Sequence, residues 1–287
     1  MTDATPSFVL TAVCPDTVGI VAAVAGYLTG EQCFIEESSH FGDPATGTFF
    51  MRTRFTPRAP GFSRGGFAAG FAAIAGRFGM DWQLHDTSLL PRVLVLVSKY
   101  DHCLNDLLYR YRTGALRMTI PAVVSNHLAL AGLAEWHRLP YLHVPVTPET
   151  KPAAEARLLE VIEDTKADLI VLARYMQVLS ADVCARYPGR IINIHHSFLP
   201  GFKGAKPYHE AHRRGVKLIG ATAHYVTADL DEGPIIEQTV ERADHSMSPE
   251  DLAAIGRDVE SITLARAVKL HLEHRVFVNG ARTVVLR

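Results

Sequence analysis

Three polar residues stand where chemistry is expected. Asn193 and His195 are two positions apart in Arg190-Ile-Ile-Asn-Ile194, an apolar run that reads as a strand and ends directly in the polar segment His195-His196-Ser197. Side chains at i and i+2 of a strand point the same way, so the amide and the imidazole can face one pocket. Asp231 lies in the loop after a neighbouring candidate strand, just before Gly233-Pro234. An amide donor, an imidazole and a carboxylate together suit attack on a small carbonyl group. A fixed donor stabilises the developing oxyanion, and a carboxylate or imidazole moves the proton. Taken singly, each has an ordinary alternative: a turn asparagine, a merely hydrogen-bonded histidine, a common Asp-Glu-Gly turn.

The elements that must position them follow two patterns. Phe8 to Val13 reads as a strand, and Pro15-Asp-Thr-Val-Gly19 as a turn into a helix that Asp16 or Thr17 can cap. Ile20 to Leu28 suits a buried helix. Cys33 to His40 and Thr48 to Phe55 make a hairpin, Phe67 to Phe78 has apolar residues at helical spacing, and Asp81 to Leu89 closes with a strand. The order is βαββαβ, a ferredoxin-like unit. Pro91 marks a boundary. Beyond it come apolar runs typical of strands buried on both faces, such as Arg92-Val-Leu-Val-Leu-Val97 and Leu169-Ile-Val-Leu-Ala173, alternating with helices. Strands are expected at Met118–Val124, near Tyr141–Val144, and at Ala221–Val226 and Pro234–Thr239, with helices from about His102, Ala129, Ala153 and Pro249. This is an α/β pattern with a mostly parallel sheet, in which ligands sit beyond the carboxyl ends of the strands. A terminal hairpin is expected around Asn279-Gly280.

Composition narrows the partners. The 287 residues carry 29 basic and 30 acidic side chains, a net charge of -1. Neither half has the basic excess of a nucleic-acid binder, so a polar small molecule is the better partner. The N-terminal Met1 to Ser7 lacks the flank and apolar run of a signal peptide, and no apolar stretch approaches the about 18 residues that span a membrane. A cytoplasmic location is expected, with no membrane partner. The four cysteines, Cys14, Cys33, Cys103 and Cys184, form no C-x-x-C pair and read as buried free thiols. Of the 14 histidines, His195, His196, His209, His212 and His224 lie near the proposed pocket. However, His209-Glu-Ala-His212 is one residue short of the H-E-x-x-H metal helix, and no metal is expected.

The surrounding words are more specific than the single residues. Asn193-Ile-His-His-Ser-Phe-Leu-Pro200, followed by Gly204, resembles the N-I-H-x-S-L-L-P signature of the folate-dependent formyltransferases. Ala221-Thr-Ala-His-Tyr-Val-Thr227 with Leu230-Asp-Glu-Gly-Pro-Ile-Ile236 resembles the second signature of that family. Val171-Leu-Ala-Arg-Tyr-Met-Gln-Val-Leu179 looks like its folate-pocket strand and turn. Order and spacing match over about Arg92 to Glu273. The resemblance implies a Rossmann-like formyltransferase domain over 91–287, with Asn193, His195 and Asp231 as the catalytic trio. It places the pterin between the 175–179 turn and the 226–231 loop, near Leu172, Met176, Gln177, Val178, Leu179, Val226 and Asp229. The apolar members of this set read equally well as sheet core.

The acceptor is where members of that group differ. Glycinamide ribonucleotide formyltransferase places a Gly-rich loop after its first strand to cradle a phosphate, which needs backbone room. Here the stretch is Val97-Ser-Lys-Tyr-Asp-His-Cys103, without glycine. With that departure and the N-terminal unit, the whole chain resembles the formyltetrahydrofolate deformylase family, where Ser-Lys-x-Asp-His-Cys is the usual wording. The resemblance implies a hydrolase that splits 10-formyltetrahydrofolate into formate and tetrahydrofolate. It would supply formate, serve purine biosynthesis and balance one-carbon folate pools. Folate is then a substrate, and no tightly bound cofactor is expected. Formyl transfer to an amine such as glycinamide ribonucleotide is the alternative, and a non-catalytic amino-acid sensor a second. A methionyl-tRNA formyltransferase is disfavoured, since no basic domain follows the long helix. Residues 1–90 resemble an ACT regulatory domain, with Asp16, Gly19 and Ile20 as the effector loop. Glycine or methionine are the implied effectors, and a homodimer or homotetramer the implied assembly. The alternative for that loop is plain helix capping.

Overall fold

The structure, a computed structural model, describes residues 6–200 and 207–287. Contacts divide the chain into two units. The first comprises the chain up to Leu90 with His274–Phe277 and Val284–Arg287; the second comprises Pro91–Glu273 and Val278–Thr283.

The first unit runs β1 (Phe8–Pro15), α1 (Ile20–Gly30), β2 (Cys33–Asp43), β3 (Thr48–Pro57), α2 (Arg64–Phe78) and β4 (Asp81–Asp86). Its sheet has the order β2-β3-β1-β4 with antiparallel neighbours, the ferredoxin-like arrangement expected from the pattern. Alternation on β1 sends Phe8, Leu10, Ala12 and Cys14 to the helix side. There they meet Val24 and Leu28 of α1 and Phe67 and Phe71 of α2. Phe55, Phe67 and Phe71 stack in sequence, with ring centroids 5.3 and 5.8 Å apart. Ser63 caps α2 by accepting from the Gly66 N–H, and Gly79 ends it with a left-handed φ of 63°.

The start of α1 differs from the expectation. Neither Asp16 nor Thr17 caps it; the N-cap is Gly19, at φ 98°, with no side-chain cap bond. The chain reaches the helix through a left-handed glycine, so the two polar residues fall before the cap position. Asp16 lies instead against Gly42 of β2, where a Cβ would come 2.2 Å from its Oδ2. The C-terminal end also differs from a simple 91–287 block. Phe277 and Leu286 pack with Phe50, and Arg275 pairs with Glu37 at 2.7 Å, which groups these residues with the first unit.

The second unit contains β5 (Val93–Val97), α3 (His102–Arg112), β6 (Val123–Ser125), α4 (Ala131–Trp136), β7 (Tyr141–His143), α5 (Lys151–Thr165) and β8 (Leu169–Leu172). It continues with α6 (Ala181–Arg186), β9 (Ile191–His195), α7 (Pro207–Arg213), β10 (Leu218–Tyr225), β11 (Ile235–Arg242) and α8 (Pro249–Leu272). The hairpin β12 (Val276–Asn279) and β13 (Arg282–Val285) turns at Gly280. The seven-stranded sheet has the order β11-β10-β9-β8-β5-β6-β7, parallel from β9 to β7 and antiparallel at β10 and β11. From β5 the chain moves outward through β6 and β7, then returns to lay β8 and β9 on the other side. Strand order therefore reverses between β5 and β8, and the crevice beyond their carboxyl ends is where such sheets bind ligands.

Two local departures have physical causes. The strand expected at Met118–Val124 shrinks to β6, with only Thr119 bridging Arg92 before it. Pro121 lacks the N–H that a continuous ladder needs. The short helices α6 and α7 carry too few residues to show a period; α6 is set by its Ser180 cap. All four cysteines are buried and free, as their isolation in sequence suggested.

His85 on β4 gives the first unit a measurable acid sensitivity. Its ring stacks on His274 with centroids 3.5 Å apart. Burial, then the charges of Arg64 and Arg52, push its pKa down to about 4 from 6.5. Between those values the unfolded chain holds more protons than the folded one. Stability therefore falls as pH drops through that window, by at most about 3 kcal/mol. His85→Phe keeps a ring for His274 and removes the titration. It is expected to flatten the decline of Tm between pH 6.5 and pH 4, measured by thermal scans against the parent.

Candidate active site

The site begins with the pairing of β9 and β10. In their antiparallel register Asn193 lies opposite His224, and His195 opposite Thr222. Cross-strand partners share a face, and the Asn193 Nδ2 is 3.3 Å from the His224 Nε2. A bulge in the β10–β11 pairing falls at Ala223/His224, where such irregularities re-aim side chains. After Tyr225 the chain loops out and returns at Gly233-Pro234, where the Tyr225 N–H bonds the Pro234 carbonyl at 2.9 Å. A Cβ at Gly233 would lie 1.7 Å from the Tyr225 carbonyl oxygen, so only glycine permits this return. The loop holds Asp231 at φ 57°, a left-handed conformation that costs a non-glycine residue energy.

That conformation brings the Asp231 carboxylate into the pocket. Its Oδ2 is 3.2 Å from the His195 Nδ1, and its Oδ1 is 3.6 Å from the His224 Nε2. Asn193, His224, Asp231 and His195 thus form a row of neighbours, each next to the following one, at the carboxyl end of β9. The hydrogen bond from His195 holds the Asp231 carboxyl far below the usual carboxylate range, against the opposing effect of burial. The His224 Nδ1 is 2.8 Å from the Tyr225 carbonyl. A carbonyl only accepts, so Nδ1 carries the proton, and in the neutral ring Nε2 accepts from the Asn193 amide. His195 is 6% exposed, and its Nε2 has no hydrogen-bond partner among the described residues. With Nδ1–H directed at Asp231, a neutral His195 offers a lone pair at that Nε2, and a protonated one offers an N–H.

The segment after His196 is pinned in place. Thr222 Oγ1 donates to the Ser197 carbonyl at 2.9 Å and accepts from the Leu199 N–H at 3.0 Å, and Gln238 braces both Leu199 and Thr222. At the end of β5, Ser98 donates to Asn126 Oδ1 at 2.6 Å and accepts from the Met176 N–H at 3.0 Å. These two bonds tie the 175–179 turn to the strand ends.

The residues named for folate divide. Leu172 and Leu179 belong to the buried core of the unit and Val226 packs against it, which is the sheet-core alternative for these three. Met176 and Val178 are exposed, as is Asp229, while Gln177 is partly buried. In the first unit Asp16 and Gly19 are exposed, whereas the Ile20 side chain is in the core. Gly204 of the first motif, like residues 1–5, lies outside the described residues. His224 appeared in the sequence only as one of several histidines. Its place beside Asn193 depends on strand register, although period-2 alternation before Tyr225 already put it on one face. Gly233→Ala forces the Asp231 loop outward. It is expected to cost at least about 2 kcal/mol in urea unfolding and to abolish most turnover.

Comparison with known proteins shows the family. The family described as Formyl transferase matches residues 91–268. The formyltetrahydrofolate deformylase of Corynebacterium sp. (strain P-1) is 50% identical, covering 97% of this chain and 98% of its own. That of Escherichia coli (strain K12) is 41% identical, over 97% and 98%. The solved formyltetrahydrofolate deformylase of Burkholderia mallei superposes with a TM-score of 0.93 at 56% identity, over 98% of this chain and 100% of that one. Glycinamide ribonucleotide transformylase 1 of Symbiobacterium toebii reaches a TM-score of 0.65 at 31% identity, and covers 69% of this chain and 95% of its own. Fold, motifs and near-full-length identity together show that the chain belongs to the formyltetrahydrofolate deformylase family.

Proposed function

We propose that the cluster of Asn193, His224, Asp231 and His195 performs the hydrolysis of 10-formyltetrahydrofolate to formate and tetrahydrofolate, the reaction of this family. The observation that carries the assignment is the buried, unpartnered Nε2 of His195, backed at Nδ1 by an ionised Asp231. Asp231 accepts from the His195 Nδ1–H and acts through that ring. It orients His195 and stabilises the imidazolium. The His195 Nε2 takes a proton from water as the water oxygen adds to the formyl carbon. Asn193, with one amide hydrogen on His224, offers the other to the oxyanion. The C–N bond then breaks, and the imidazolium returns its proton to N10 of the leaving tetrahydrofolate. Water plus the formyl amide thereby becomes formate and the free amine, with one proton released from formic acid.

The substrate enters by the 175–179 turn and the 226–231 loop, where exposed Met176 and Val178 offer apolar surface. Water as acceptor is supported by near-full-length similarity to deformylases, whereas glycinamide ribonucleotide transformylase 1 of Symbiobacterium toebii covers 69% of the chain. Incubated with 10-formyltetrahydrofolate and no amine, the protein is expected to release formate. Asn193→Ala and Asp231→Asn are each expected to lose about 10²- to 10³-fold in kcat while still binding folate. Near-normal turnover in either variant rejects the assignment.

The first unit is proposed as an amino-acid sensor. Its exposed loop from Pro15 to Gly19 carries Asp16 for an amino group, and α1 starts without a side-chain cap, which suits a carboxylate. Ile20 contributes its backbone N–H. Glycine and methionine are the effectors to test. Calorimetric titration is expected to give heat with one of them, lost in Asp16→Ala; no heat and no kinetic effect would leave the unit without that role. A homodimer or homotetramer and a cytoplasmic location complete the proposal. No helix among the described residues is long and apolar enough to cross a membrane.

A further inference from the structure

A second cluster of charge lies in the same unit, on the far side of His196. Glu260 of α8 is 1% exposed. Its Oε2 is 2.7 Å from the His102 Nε2 and 3.3 Å from the Arg174 Nε, and its Oε1 accepts from the Tyr208 hydroxyl at 2.8 Å. Gly256, one turn earlier in α8, makes room for Tyr208; a Cβ there would lie 2.0 Å from its hydroxyl oxygen. Burial alone would push the Glu260 carboxyl up, but His102, Arg174 and Tyr208 outweigh it and the group stays ionised. The donor atoms of His102, Cys103 and Glu260 lie within 4.8 Å of one another. Both Glu260 oxygens are already engaged, and a guanidinium beside them disfavours a cation, so the cluster reads as an ionic anchor.

What the anchor holds is Arg174. This residue follows β8 at φ 64°, lies over the Tyr100 ring at 5.3 Å and directs its Nη1 to the His196 Nδ1 at 2.9 Å. A guanidinium only donates, so the His196 Nδ1 accepts and its ring is a neutral Nε2–H tautomer. That ring stacks on His195, with centroids 4.9 Å apart and planes 23° from parallel. Apolar packing stabilises a core as well as a buried ion pair does, which leaves stability a poor account of this network.

We propose that Glu260 and Arg174 are positioning residues for hydrolysis, acting on His195 through His196. Arg174 fixes the tautomer and plane of His196, whose face then limits rotation of His195 away from the Asp231 line. Glu260 neutralises Arg174, so that the clamp places no net positive charge beside an imidazole that must take up a proton. This inference rests on His195 being the base of the reaction.

The test is steady-state hydrolysis of 10-formyltetrahydrofolate by folded Arg174→Gln, Glu260→Gln, His196→Phe and His196→Ala, with His195→Ala as reference. Folding is checked by circular dichroism. Arg174→Gln and Glu260→Gln are expected to lower kcat by about 10- to 100-fold with KM within threefold. His196→Phe, which keeps the stacked face, is expected to retain more kcat than His196→Ala. Imidazole ¹⁵N spectra should show the Nε2–H tautomer of His196 in the parent and its loss in Arg174→Gln. A kcat within twofold of the parent in Arg174→Gln overturns the proposal, as does a loss carried wholly by KM. If the Arg174 and Glu260 variants do not fold, His196→Phe and His196→Ala decide it, and equal, parent-like kcat in both overturns it. Near-normal turnover in His195→Ala would instead show that the catalytic assignment itself has failed.

Discussion

The antiparallel register of β9 against β10 is the constraint from which the site follows. It sets Asn193 across from His224, and the bulge at Ala223/His224 aims that imidazole at both the amide and Asp231. The parallel sheet behind β9 supplies rigidity, since β5 and β8 are buried throughout. Slipping β10 by one residue would turn His224 to the opposite face and leave Asn193 without its partner. The return of the loop over Tyr225, which tolerates only Gly233, brings the carboxylate to a histidine 36 positions earlier in the chain.

Two carboxylates serve the pocket in opposite ways. Asp231 is partly open and faces two imidazoles, so its charge is available where a cation forms during turnover. Glu260 is sealed and its charge is consumed by permanent partners. The first belongs to a loop that adopts a strained conformation, the second to a 24-residue helix with a Ser248/Asp251 capping box. A group that must meet the substrate lies on the adaptable element, and a group that holds others in place lies on the stiff one.

The N-terminal unit has an independent logic. Its four antiparallel strands bury one face under two helices through a run of stacked aromatic rings. The loop ahead of α1 is exposed, and Gly19, rather than a polar side chain, begins the helix. The C-terminal residues Arg275, Phe277 and Leu286 pack with this unit although they are distant in sequence, so its contents are not one continuous segment.

Much of this was legible in the residues themselves. Continuous apolar runs revealed the strands of the large sheet, because strands buried on both faces carry few polar residues, and helical spacing marked the helix around Phe67 to Phe78. Asn193 and His195 shared a face by strand geometry alone, and Gly233-Pro234 marked the turn beside Asp231. Other features had no local signature. The Asn193–His224 contact depends on pairing register. The Glu260 network joins four elements spread from residue 102 to residue 260, and the capping of α1 turned on a single left-handed glycine. Sequence carries what neighbouring residues impose on one another through sterics and periodicity. Contacts between distant segments were decided only when the tertiary fold set their distances and excluded water from between them.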